Sequence, residues 1–142
     1  MTVFLPAYDQ IPNVGLYLEQ VTKFLNEYLE PMGCAPLTGS MISNYVKKGL
    51  VKNPVKKQYD REHIAVLLII AVVKTVLSLE EAQQLLDTQK GLPTQHAYEA
   101  FCRTFPAAME AVFSRPGGDL LEDTATAVAH KLYLDKRFRG EA

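Results

Sequence analysis

Three histidines, His63, His96 and His130, are the side chains of this sequence that most readily exchange protons near neutral pH. None lies at helical i, i+4 spacing from another histidine or from a cysteine, and Cys34 and Cys102 also stand alone. The sequence contains no glycine-rich phosphate loop, no His-Glu-x-x-His and no Gly-x-Ser-x-Gly. We therefore expect a protein that is not an enzyme and has no catalytic residue, metal site or cofactor. An enzyme would need a dispersed site, such as His96 or His130 beside a carboxylate.

Basic residues are concentrated in one short segment, residues 47–61. Its net charge is +5, because it contains one acid, Asp60, and six bases: Lys47, Lys48, Lys52, Lys56, Lys57 and Arg61. Residues 1–46 and residues 62–142 each carry a net charge of −3, so the overall charge of −1 conceals this segment. Such a cluster is typical either of a solvated loop or of a surface that binds phosphates.

Helical periodicity accounts for most of the chain and defines the elements that would position these residues. Apolar residues at spacings of three and four predict helices over residues 14–30, 40–48, 61–77, from 79 onwards, 95–113 (with a possible interruption at Pro106) and from 119 onwards. Gly49 ends the second helix, and the sequence from Ser78 to Glu81 is a capping box. Asn53-Pro54, within residues 50–59, predicts a turn in a small hairpin or extended loop. The expected fold class is all-α.

A helix, a turn, a short second helix and a basic hairpin are the parts of a winged helix-turn-helix, whose second helix enters the major groove of DNA. The second helix uses Ile42, Tyr45 and Val46 for its apolar side. We expect its outward residues Ser40, Ser43 and Asn44 to contact bases, and Asn44 above all, because asparagine pairs with adenine through two hydrogen bonds. Basic side chains suit phosphates. The predicted phosphate contacts are Tyr45, Lys47, Lys48, Lys52, Lys56, Lys57 and Arg61.

The stretch from Thr38 to Val51, Thr-Gly-Ser-Met-Ile-Ser-Asn-Tyr-Val-Lys-Lys-Gly-Leu-Val, resembles the recognition-helix segment of MerR-like regulators. The resemblance continues through Pro54 and Tyr59 to Ser-Leu-Glu-Glu…Leu-Leu at residues 78–86. Thr-x-Ser-Met-Ile-x-Asn-Tyr-Val-Lys and Tyr-x-Arg-Glu-His resemble most closely a bacterial family of unknown function with that DNA-binding core. The resemblance implies a MerR-like winged helix-turn-helix core, a small hairpin wing, a C-terminal helical extension and a role as a DNA-binding transcriptional regulator.

Length and composition favour one domain with an appendage. We expect a DNA-binding domain over residues 1–90 and a C-terminal helical region over residues 91–142, which completes the core, forms a dimer surface or encloses a ligand. A homodimer is expected, because two half-sites roughly 34 Å apart supply the specificity that one short recognition helix lacks. The alternative function is a protein–protein adaptor whose basic wing binds an acidic partner.

The chain begins without a basic and then apolar leader, and its longest apolar run is shorter than the roughly 18–20 residues of a membrane-spanning helix. We therefore expect a cytoplasmic protein without a membrane partner.

Overall fold

A computed structural model describes residues 5–141 of the chain. Within that range the elements are α1 (Leu18–Met32), α2 (Gly39–Lys47), α3 (Arg61–Val73), α4 (Leu79–Asp87), α5 (Thr94–Phe113), α6 (Leu120–Phe138), the strands β1 (Leu16–Tyr17) and β2 (Gln58–Tyr59), and a 3-10 turn at Tyr8–Gln10. The prediction of a mostly helical fold with one small β element is confirmed.

Helix α3 forms the centre of the core. Nine of its residues are buried, and it is apolar around most of its circumference, as expected for a helix enclosed on all sides. Both α1 and α5 pack against it, α1 through Val21, Leu25 and Leu29, and α5 through the fully buried ring of Tyr98. The predicted helix over 61–77 ends earlier, at Val73, because the backbone then turns. The N–H groups of Thr75 and Val76 bond three residues back, to the carbonyls of Val72 and Val73 at 3.2 and 3.0 Å, instead of four residues back.

The short sheet joins two distant parts of the chain. β1 pairs antiparallel with β2, with Leu16 opposite Tyr59 and Tyr17 opposite Gln58. The predicted helix over 14–30 is therefore wrong at its start, because residues 16 and 17 are drawn into this pairing. Gly15 makes the approach possible: its φ is +79°, and a Cβ there would lie 2.7 Å from Oε1 of Gln58.

The predicted hairpin over residues 50–59 is present as a tight turn. Val55 and Gln58 exchange both backbone hydrogen bonds, at 3.2 and 2.9 Å. Backbone groups of successive residues in an antiparallel strand point to opposite sides, so Gln58 bonds to Val55 while the N–H and carbonyl of Tyr59 point away from it. On that other side β2 finds its partner in β1.

The connection between α1 and α2 is fixed by side chains. The amide of Asn26 accepts the N–H of Leu37 at 2.8 Å and donates to the Leu37 carbonyl at 2.9 Å. Thr38 then caps α2, since its hydroxyl accepts the N–H of Met41 at 3.1 Å. These bonds hold the start of α2 against α1, and the observed bounds of α2 differ from the predicted ones by one residue.

The C-terminal helices are partly outside the core. α5 runs through Pro106 without a break, and every residue from 111 to 130 is exposed. α6 contributes no buried residue, and its C-terminal half meets the rest of the protein near α4, where Nζ of Lys131 lies 4.0 Å from Oε1 of Glu81. None of the helices in the described range has the length and apolar character that crossing a bilayer requires.

Candidate nucleic-acid interface

The outward side of α2 carries the residues that the sequence assigns to base contact. Ser40, Ser43 and Lys47 are exposed and recur at spacings of three and four, so they share one side of the helix. Asn44 lies beside them and is half-buried. Ile42 on the opposite side is fully buried, which fixes the rotation of α2 about its own axis.

Four lysines of the basic segment are exposed without an acidic partner. Among residues 5–141, no carboxylate lies within 4 Å of the ammonium groups of Lys47, Lys48, Lys56 or Lys57. Two of them are at the C-terminal end of α2 and two are in the hairpin turn. Lys56 follows Lys47 by nine positions, so their Cα atoms cannot be more than roughly 30 Å apart.

Two other bases of the segment are used inside the protein. Nζ of Lys52 lies 2.8 Å from Oε2 of Glu62 and 3.6 Å from Oδ2 of Asp60, and the hydrogen bond to Glu62 raises the pKa of Lys52. The guanidinium of Arg61 donates to the carbonyls of Ile11 and Asp9 at 2.9 and 3.0 Å. Lys52 is therefore compensated by carboxylates, while Arg61 keeps its charge but has its guanidinium held against backbone carbonyls, so neither side chain is as free to reach a partner as the other four bases.

Tyr45 is also assigned to a phosphate from the sequence, but its side chain is 3% exposed and lies in the core. Burial raises the pKa of its hydroxyl. Because the aromatic ring is enclosed, the structure gives Tyr45 a packing role, and we do not retain it as a phosphate contact.

The hairpin turn has an unusual backbone for its residues. Lys56 and Lys57 have φ values of 52° and 63°, in the left-handed region that a two-residue type I′ turn requires at both central positions. Asn-Gly is the favoured pair there, and an ordinary side chain costs roughly 1–2 kcal/mol per residue. The turn holds two strained lysines at its tip, and such strain is more frequent at functional sites than elsewhere.

His63 anchors the loop that carries this turn. Its ring is 1% exposed, with Nε2 3.2 Å from the carbonyl of Asn53 and Nδ1 2.7 Å from Oδ1 of Asp60. The ring of Tyr59 packs edge-on against it at 5.4 Å between centroids. Asn53 precedes the turn and Asp60 follows it, so one imidazole fixes both ends of the loop. The sequence analysis assigns no role to His63, although its spacing of three from Asp60 is that of a capping pair.

Asp60 is the helix cap that completes this anchor. Its Oδ1 accepts the N–H of His63 at 3.1 Å, which caps α3. Burial acts to raise the pKa of Asp60, but the hydrogen bonds and charge interaction with His63, together with the charge of Lys52, outweigh it and lower that pKa. The carboxylate therefore keeps its charge to a lower pH than an ordinary aspartate does.

The described residues contain no group of three or more His, Cys, Asp or Glu side chains arranged to hold a metal ion. His96 and His130, the histidines of the enzyme alternative, lie on α5 and α6, and His130 is exposed.

These features define a small, mostly helical protein with a short helix and a hairpin turn, whose lysines have no acidic partner within the part of the chain that the structure describes. The family described as "Domain of unknown function (DUF1836)" matches residues 6–101, and the chain belongs to this family. The comparisons with curated proteins and with solved structures gave no match. The resemblance to a family of unknown function is confirmed, whereas the relationship to MerR-like regulators stays a prediction. The matched range ends within α5, three residues beyond Tyr98, the last residue of the buried core.

Proposed function

We propose that this protein is a transcriptional regulator that binds double-stranded DNA through a winged helix-turn-helix. α2 is the recognition helix, and the hairpin over residues 50–59 is the wing. The observation that carries the proposal is the arrangement of unpaired charge: two lysines at the end of α2 and two at the tip of an anchored turn. In a helix-turn-helix complex the second helix lies in the major groove while neighbouring segments contact the phosphate backbone, which matches the positions of these two pairs of lysines.

Sequence selectivity comes from the exposed side of α2. Ser40 and Ser43 bond to base edges with little discrimination, while Asn44 pairs with adenine. Lys47, Lys48, Lys56 and Lys57 bind phosphates and set the register.

The regulator acts as a homodimer through α6. An exposed apolar stripe, formed by Leu121, Ala125, Val128 and Leu132, follows the alternating four and three spacing of a coiled-coil seam. The first turn of α6 is acidic and its last turn is basic. An antiparallel pairing of two copies about a two-fold axis therefore brings acidic and basic turns together and covers the stripe.

The test of DNA binding is selection of bound sites from random duplex DNA with the full chain, followed by measurement of Asn44→Ala. We expect enrichment of a palindromic site and a loss of affinity of about 1–3 kcal/mol on that site for the variant. Affinity for random duplex should change little. Selection without any enriched site would favour the adaptor that binds an acidic protein, and equal losses on both duplexes would remove Asn44 from base contact.

The dimer is tested separately by light scattering after size exclusion. Leu132→Ser should shift the protein towards monomer, because it removes a large side chain from the stripe. Tyr133→Ser is the matched control, since Tyr133 is 52% exposed and lies one residue away, outside the stripe. A wild-type monomer at all concentrations, or equal shifts in both variants, would refute pairing through this stripe.

A further inference from the structure

A cavity of about 400 Å³ lies where the α3–α4 turn meets the C-terminal helices. Its walls come from the end of α1, the segment from Val72 to Leu77, and the inner sides of α4, α5 and α6. The volume falls in the range of about 300–1,000 Å³ that small-molecule sites occupy. The family match ends at residue 101, so one wall belongs to the matched region and the opposite wall to the C-terminal extension.

The walls of the cavity are almost entirely apolar. Phe101 and Phe105 stack with 5.3 Å between ring centroids and 12° between planes, and Phe138 adds a third ring from α6. Met32 and Met109 contribute flexible thioethers, which adapt to the shape of a ligand. The single hydroxyl among the described lining residues belongs to Thr75, which is exposed.

This composition selects against water and against ions. An ordered water needs two to four polar partners, which one hydroxyl does not supply. None of the lining residues is ionisable, so a charged ligand would lose its hydration without gaining a counter-charge. Apolar rings and alkyl chains carry no charge, so they have no such hydration to lose when they enter the cavity.

We propose that the cavity is a binding site for an uncharged, apolar small molecule, aromatic or alkyl, with at most one polar atom directed at Thr75. Because the ligand touches α3 and α4 on one side and α6 on the other, it would fix how the C-terminal helices sit on the matched region. The proposal does not depend on DNA binding, and its test contains no DNA.

The probe is N-phenyl-1-naphthylamine, an uncharged aromatic amine that becomes fluorescent in apolar surroundings. It is compared with its sulfonated analogue, 8-anilino-1-naphthalenesulfonate, on the full chain. We expect saturable binding of the uncharged probe, at least about tenfold tighter than that of the sulfonate, because no cation lines the cavity. Absence of saturable binding, or equal affinity for the two probes, would overturn the proposal.

Two variants locate the probe. Leu134→Trp fills the cavity from α6 and should weaken binding by about tenfold or more, while folding is preserved because α6 supplies no buried residue to the core. Met109→Trp fills it from α5 and should do the same. Tyr133→Trp is the matched control, because Tyr133 is the exposed neighbour of Leu134 and does not line the cavity.

The remaining outcomes are also decisive. Equal losses in Leu134→Trp and Tyr133→Trp would mean that the probe binds the exposed surface of α6. Loss of probe binding in the wild type as protein concentration rises would mean that a second copy of the chain occupies the cavity. Either result overturns the assignment of the site to a small molecule.

Discussion

The salt dependence of DNA binding should distinguish the lysines that are free from the one that is paired. Each phosphate contact contributes about 0.9 to the slope of log Kobs against log salt concentration. Lys52 is held by Glu62 at 2.8 Å, whereas Lys56 and Lys57 have no acidic partner among residues 5–141. The double variant Lys56→Ala, Lys57→Ala should therefore flatten the slope by about 1.8 per protomer, and Lys52→Ala by much less than 0.9, since its charge is already compensated.

A complementary change makes the comparison sharper. Glu62→Gln removes the carboxylate that lies closest to Lys52, although Asp60 remains 3.6 Å away. This variant should steepen the slope by up to about 0.9 per protomer, because a released lysine can reach a phosphate.

The assay is fluorescence anisotropy of a labelled duplex, titrated with the full chain at salt concentrations from about 50 to 200 mM, where phosphate contacts dominate the change in affinity. Equal flattening by Lys52→Ala and by Lys56→Ala would show that the ion pair with Glu62 does not persist on DNA. An unchanged slope for the double variant would refute phosphate binding by the turn.

Two further predictions concern the stability of the loop. Replacing the turn by the pair it favours, Lys56→Asn with Lys57→Gly, should raise the free energy of unfolding by about 1–2 kcal/mol, which is less than the summed strain of two lysines because Asn keeps a Cβ and Gly loses more conformational entropy on folding. The same variant should weaken DNA binding, as measured by anisotropy, and a lower stability in urea denaturation would contradict the strain. Asp60 has a lowered pKa in the folded protein, so its stabilisation is fully present above the unfolded pKa of about 3.9 and is lost as pH falls through the folded value. Asp60→Asn keeps a cap but removes the charge, so in urea denaturation its free energy of unfolding should be lower than that of the wild type at neutral pH, and this difference should shrink below about pH 4. A difference that keeps its full size below about pH 4 would contradict the role of the charge.

Local signals account for the parts of the fold that the sequence predicts well. The starts of α2, α3 and α4 follow from Thr38, Asp60 and Ser78, whose side chains cap the amides of residues only three positions later. The buried helix follows from a continuous apolar run, because a helix that is apolar on all sides must be enclosed. A helix cap lies within one turn of the chain and an apolar run within one helix, so both can be recognised from neighbouring residues alone.

Contacts between distant residues account for what the sequence does not predict. The helical spacing near Leu16 continues into α1, yet residues 16 and 17 become a strand because Tyr59 and Gln58 supply the backbone partners. Arg61 is counted as a free base in the sequence, but the carbonyl of Ile11, 50 residues away, accepts its Nε–H. The number of bases free to contact a partner is therefore overestimated from the sequence, since composition does not reveal that Arg61 is held by backbone carbonyls or that Lys52 is paired with Glu62.

The anchoring of the hairpin turn favours a binding surface over a merely solvated loop. A solvated loop gains nothing from left-handed lysines, because Asn and Gly adopt the same backbone at lower cost. Here the strained pair is closed by two backbone hydrogen bonds between Val55 and Gln58, and the loop is fixed at both ends by His63. A rigid loop loses little conformational entropy when its ammonium groups meet a charged surface, so more of the interaction energy appears as affinity. Strain, anchoring and unpaired charge coincide in this one turn, which makes it the first place to test for DNA contact.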